Sequence, residues 1–128
     1  NWSSASGRRG LEQLLQQRPD VDAVFASNDL MAMGAIQTAR RKGLRIPDDI
    51  AIVGFDDMPE ADCFWPSLTT ISQPVFEMGS AAVVELQRLI DAVREEESDI
   101  KPKTTILDTE LVVRDSSVAG IQEVTIQK

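Results

Sequence analysis

With 128 residues and 42% hydrophobic content, the chain is long enough for one domain with its own core and too apolar for wholesale disorder. Thirteen basic against 21 acidic residues leave a formal net charge of -8, which would repel phosphate backbones from its surface. With no His and a single cysteine, Cys63, a zinc site, an internal disulfide and a Ser-His-Asp triad are excluded, and no apolar run approaches the ~20 residues of a membrane helix. No charged leader with a short apolar core opens the chain, and Asn1 in place of an initiator Met gives the expectation of a processed chain or, the preferred reading, a piece of something longer.

Residues 3–18 are predicted to form a helix: Leu11, Leu14 and Leu15 share one narrow face, Ser3 or Ser4 caps the start, and Pro19-Asp20 ends it. Ala23-Val24-Phe25-Ala26 has the length and composition of a buried parallel strand, closed by Ser27-Asn28-Asp29. A second helix over 29–42 sets Met31, Ala32, Ala35, Ile36 and Ala39 at helical spacing and ends in Arg40, Arg41 and Lys42, which complement the helix dipole. Gly43 terminates it, with Leu44 placed for the apolar contact of a Schellman cap. After the loop Arg45-Ile46-Pro47-Asp48-Asp49, the run Ile50-Ala51-Ile52-Val53-Gly54-Phe55 reads as a central strand buried on both faces, with Asp56 and Asp57 at its carboxyl end. Strand, helix and strand within ~35 residues make a right-handed βαβ unit, so the core is α/β.

The loop 58–67 is interrupted by Pro59 and Pro66 and carries Cys63-Phe64-Trp65, either tucked under the sheet or presented to a partner, the second being preferred. A Thr-rich strand over 68–73 follows, and Pro74 suits the first turn of a helix over 75–94. Val75, Ala82, Val83, Leu86, Leu89, Ile90 and Val93 give that helix a wide apolar face that must dock on something. Glu95-Glu96-Glu97-Ser98-Asp99 reads as a solvated acidic connector with no metal implied, and 104–107 and 110–114 as short strands. In the weakly patterned tail, Val124-Thr125-Ile126 is either an edge strand or a disordered end.

In open α/β sheets, ligands sit beyond the carboxyl ends of the strands. Asn28, Asp56 and Gln73 each fall at such an end. An amide offers a donor and an acceptor, and a carboxylate accepts two hydrogen bonds, which suits neighbouring hydroxyls on a polyol ring. Trp2 can cover the C–H side of such a ring. Each residue also has an ordinary reading: Asn28 and Asp29 as helix caps, Asp56 and Asp57 as turn residues, Gln73 as a strand-end side chain, and Trp2 as a chain-end core residue.

Four runs in order, Val24-Phe25-Ala26-Ser27-Asn28-Asp29-Leu30-Met31-Ala32-Met33-Gly34-Ala35, Gly43-Leu44-Arg45-Ile46-Pro47-Asp48-Asp49-Ile50, Val53-Gly54-Phe55-Asp56-Asp57 and Leu68-Thr69-Thr70-Ile71-Ser72-Gln73-Pro74, resemble the lactose/galactose-repressor (LacI/GalR) family of bacterial transcription regulators. Leu111-Val112-Val113-Arg114-Asp115-Ser116 is similar to the family's last strand, so the resemblance covers residues 1–117 and leaves 118–128 as a tail. It implies a three-layer α/β fold with a mostly parallel sheet, the incomplete C-terminal subdomain of a periplasmic-binding-protein-like type I core. By resemblance, Trp2 falls where the family often stacks an aromatic on its effector, Asn28 and Asp56 fall on ligand-hydroxyl contacts, and Gln73 lies near the cleft. Cys63 and Phe64 fall where members pack as homodimers.

The resemblance further implies a cytoplasmic, non-enzymatic regulator with a sugar effector, no cofactor and no metal. Operator DNA would be bound only through a helix-turn-helix headpiece that this sequence lacks. The family's effector-contacting Arg would precede Asn1, and the helix over 75–94 would belong to a missing N-terminal subdomain, which leaves it to dock non-natively or to swap between chains. Two other readings share the residues: a periplasmic sugar-binding protein of a transporter, and an α/β enzyme holding Mg²⁺ on Asp29, Asp56 and Asp57.

Overall fold

The computed structural model describes residues 1–96 and 100–118. In chain order they form α1 (Ser4–Gln17), β1 (Ala23–Phe25), α2 (Asp29–Arg41), β2 (Ala51–Val53), a 3-10 turn (Ala61–Cys63), β3 (Thr70–Ser72), α3 (Val75–Arg94) and β4 (Glu110–Val112). Two compact units result among the described residues: Asn1–Ser72 together with 110–118, and Gln73–Thr109.

In the first unit, Ser3 is the cap of α1: its hydroxyl accepts the Ser6 N–H at 3.3 Å while the Ser6 hydroxyl accepts the Ser3 N–H at 3.2 Å. The narrow leucine face suffices because α1 and α2 meet backbone to backbone. A Cβ at Gly7 would stand 2.0 Å from the Met31 carbonyl oxygen, and one at Gly34 2.0 Å from that of Ser4. Beyond these contacts the buried Thr38 hydroxyl donates to the Arg8 carbonyl at 3.3 Å. The expected Schellman cap closes α2, with Leu44 N–H on Ala39 O and Gly43 N–H on Arg40 O, both at 3.0 Å, and Gly43 at φ 77°. Leu11, Ile36, Ile50, Ile52 and Leu68, with Ala32, Ala35, Ala39 and Ala61, form the core, and Leu44 packs against it.

β1 and β2 are parallel, with Ala23 opposite Ala51, Val24 opposite Ile52 and Phe25 opposite Val53. Parallel bridges from Val53 to Thr69 and from Asp56 to Ser72 extend the pairing to β3, and β3 is antiparallel to β4. The fold is thus α/β with a mostly parallel sheet. β1 differs from expectation: Ala23 is exposed and Phe25 is 63% exposed, because among the described residues β1 pairs on one side only. Buried Ser116 ties the returning chain down, its hydroxyl accepting the Thr69 N–H at 2.8 Å and donating to the Ile52 carbonyl at 2.5 Å.

The second unit contains α3 and the extended chain that follows it. Residues 104–107, read as a strand, form none among the described residues, since no neighbouring strand supplies a ladder. The chain just before it, at Lys101 and Lys103, is held to the helix by side chains. Glu85 accepts the Lys103 N–H at 2.7 Å and pairs with Arg88 at 2.8 Å, and Arg88 donates to the Lys101 carbonyl at 2.7 Å. Of α3, only Ala92 is buried; Val75, Phe76, Val83, Val84 and Val93 are exposed. Of the expected apolar face, Val75, Ala82, Val83, Leu86, Ile90 and Val93 are exposed and Leu89 is half-buried. Val124-Thr125-Ile126 lies outside the described residues.

Candidate functional site

Parallel register brings Asn28 and Asp56 to the same edge of the sheet. Each lies three residues beyond the registered pair Phe25 and Val53, and the Asp29 N–H donates to the Phe55 carbonyl at 2.9 Å across the gap. Asn28 is the cap of α2: its buried Oδ1 accepts the Met31 N–H at 2.8 Å. Its Nδ2 donates to the Trp2 carbonyl at 3.2 Å. One amide thereby caps the helix and tethers the segment carrying the Trp2 indole, which is 68% exposed and not a core residue.

Asp56 is exposed at this edge, in backbone that few L-residues adopt: φ is 113° at Asp56 and 53° at Asp57. Asp57 is half-buried and accepts from Arg114 Nη2 at 3.0 Å, while Arg114 Nη1 donates to the Leu68 carbonyl at 2.8 Å. Beneath them the fully buried Asp29 carboxylate accepts the Thr70 hydroxyl at 2.6 Å and the Met58 N–H at 2.8 Å. Gly54 makes room for it, since a Cβ there would stand 2.2 Å from Asp29 Oδ1.

Asp29, Asp56 and Asp57 do not form a cation set: two of the three carboxylates are engaged by Thr70, Met58 and Arg114. Among the described residues, no group of three His, Cys, Asp or Glu converges.

Reading the sequence alone missed Thr70, Arg114 and the buried role of Asp29. Asp57 and Arg114 are 57 residues apart, and nothing in the sequence local to either marks the pair. The one available hint was the smallness of Gly54 beside two acids.

Gln73 opens the second unit, where it lines a groove of about 530 Å³ with Pro74, Met78, Leu86 and Leu89; Trp2, Asn28 and Asp56 belong to the first unit. In the loop 58–67 the three bulky residues divide. Cys63 is exposed at the end of the 3-10 turn, Phe64 is half-buried against the core, and Trp65 is 77% exposed, with its carbonyl accepting from Arg40 Nη1 at 3.0 Å.

The model of the periplasmic binding protein-like domain matches residues 1–117. The HTH-type transcriptional regulator MalR of Clostridium butyricum is 44% identical over 115 residues, covering 90% of this chain and 32% of the relative. Among solved structures, a complex of the transcriptional regulator CelR with cellobiose superposes with a TM-score of 0.78 at 37% identity, over 91% of this chain and 34% of that one. A LacI family transcriptional regulator from Arthrobacter sp. FB24 in complex with lactose gives a TM-score of 0.74 at 30% identity, over 91% of this chain and 42% of that one.

These relatives are transcription regulators rather than enzymes, and the chain spans about a third of the length of the curated relative it matches. No helix among the described residues is long and apolar enough to cross a membrane. The chain belongs to the periplasmic binding protein-like domain family, in the form that LacI-type transcription regulators carry as the C-terminal part of their effector-binding core.

Proposed function

We propose that this chain is the effector-binding and dimerisation part of a cytoplasmic bacterial transcription regulator, that its effector is a sugar, and that Trp2, Asn28 and Asp56 contact it. The observation that carries the proposal is the Asn28 amide, which caps α2 and binds the Trp2 backbone, so that the segment bearing an exposed indole is tethered at the strand end registered with that of Asp56. Two similar regulators bind cellobiose and lactose, which favours a saccharide over other ring compounds. Asp56 would accept hydroxyl protons while Trp2 covers the C–H face.

In the intact regulator, effector binding shifts the population between two arrangements of the core and so changes how DNA-binding headpieces, paired in a homodimer through Cys63 and Phe64, address the operator. The test is a thermal melt with millimolar cellobiose or lactose, followed by calorimetry on the intact regulator. A sugar at a hundred times its Kd adds ~2.7 kcal/mol of stability. A melt that neither sugar moves, with no calorimetric heat from the intact regulator, would sink the reading.

A further inference from the structure

The turn that carries Asp56 holds two successive non-glycine residues at positive φ, 113° and 53°, and such backbone persists only where its surroundings over-determine it. Here each peptide group is held from a different direction. The Phe55 carbonyl accepts the Asp29 N–H at 2.9 Å, the Asp56 N–H donates to Ile71 O at 3.0 Å, the Asp57 N–H donates to Thr70 Oγ1 at 3.3 Å, and the Met58 N–H donates to Asp29 Oδ2 at 2.8 Å. Thr70 is the node. Its fully buried hydroxyl gives its one proton to Asp29 Oδ1 at 2.6 Å and takes the Asp57 N–H on a lone pair, and only a hydroxyl donates and accepts from one atom in so small a space. Arg114 closes the turn from the other side through the Asp57 carboxylate at 3.0 Å.

We propose that Thr70, supported by Arg114, is a positioning residue for Asp56: it touches no ligand, yet by holding Asp57 in left-handed backbone it sets the direction in which the Asp56 carboxylate meets a sugar hydroxyl. This rests on the reading of Asp56 as an effector contact. Without the hydroxyl, the Asp57 N–H and the Asp29 carboxylate each lose a buried partner, and the turn has less to oppose relaxation toward negative φ. Apart from Asp29, which opens α2, the contact of the two helices lies away from this node, since α1 and α2 meet through Gly7, Gly34 and Thr38.

The experiment compares the ¹⁵N-labelled chain with Thr70→Val, an isostere without the hydroxyl, and with Thr70→Ser, which restores it. Amide spectra and cellobiose titrations are recorded for all three. The expected result is a folded Thr70→Val chain whose amides at 56–58 and at Asp29 move while those of α1 and of the rest of α2 stay in place, whose cellobiose Kd rises at least tenfold, and whose defects Thr70→Ser reverses. Unchanged amides at 56–58, or changes spread evenly through α1 and α2, would overturn the proposal, the second because it marks a merely structural role. If Thr70→Val does not fold, Arg114→Lys, which keeps the charge and loses the paired geometry, is read in the same way. If the unsubstituted chain does not bind cellobiose, the titration is made with lactose and on the intact regulator; failure of both overturns the sugar reading, and the 56–58 amides still decide the positioning role.

Discussion

Asp56 joins an unusual backbone to an exposed carboxylate, and the two properties call for different tests. Left-handed backbone costs a non-glycine residue ~1–3 kcal/mol, though Asp tolerates it better than most. Asp56→Ala raises that cost somewhat and removes the acceptor, so the substituted regulator is expected to stay folded, to melt within several degrees of the parent and to bind its sugar at least tenfold more weakly, at roughly 1.5–3 kcal/mol per charged hydrogen bond lost. Unchanged calorimetric affinity would remove Asp56 from the site.

Asp49 makes a second residue-scale prediction. Arg45 binds its carboxylate at 2.6 and 2.9 Å and holds its pKa at about 2, below the ordinary 3.8. A depressed folded pKa means stabilisation that is complete above about pH 4 and lost as pH falls toward about 2. The stability gap between the parent chain and Asp49→Asn should therefore be constant at neutral pH and shrink across that window in urea melts.

At the scale of elements, the contact of α1 with α2 depends on what is absent from two positions. Gly34→Ala places a methyl 2.0 Å from the Ser4 carbonyl oxygen, a backbone atom that cannot swing aside, and should cost ~1–3 kcal/mol in a urea melt despite the better helix propensity of Ala. Asn28 separates capping from tethering. Asn28→Asp keeps an equivalent cap and adds a charge favourable to the helix dipole, but loses the donor to Trp2. Stability is expected to stay within ~1 kcal/mol while sugar affinity falls; affinity at the parent level would show that the Trp2 tether is irrelevant to binding.

Element positions and caps were largely legible in the sequence. Periodicity located the three helices and the main strands, and Ser3, Asn28 and Gly43 are caps by the ordinary chemistry of helix ends. Strand burial was not legible: Ala23-Val24-Phe25 is as apolar as a central strand, but how many neighbours a strand has is not written in its own residues. The stretch 104–107 failed for a related reason, because a strand exists only through its partner.

For the whole molecule, the open questions concern surfaces that the described residues leave uncovered. Trp65 at 77% exposure beside exposed Cys63 is the most open apolar surface of the loop 58–67, while Phe64 is half-buried against the core. If that loop forms the homodimer contact, Trp65→Asp should convert a dimer into a monomer by light scattering with the melt unchanged; a mass unaffected by the substitution would put the contact elsewhere. The face of α3, with Phe76 83% exposed, is a second such surface, within the unit Gln73–Thr109.

The sequence by itself determined the α/β class, the order and ends of the elements, the excluded chemistries and the family, because helix periodicity, caps and short ordered motifs are local properties of a chain. It also marked Asn28 and Asp56 as strand-end residues. Only the tertiary structure decided what holds them. The hydrogen bond from Asn28 to Trp2, the buried Asp29–Thr70 pair and the Asp57–Arg114 ion pair join residues 26, 41 and 57 positions apart, and such partners are chosen by strand register and close packing rather than by neighbours in sequence.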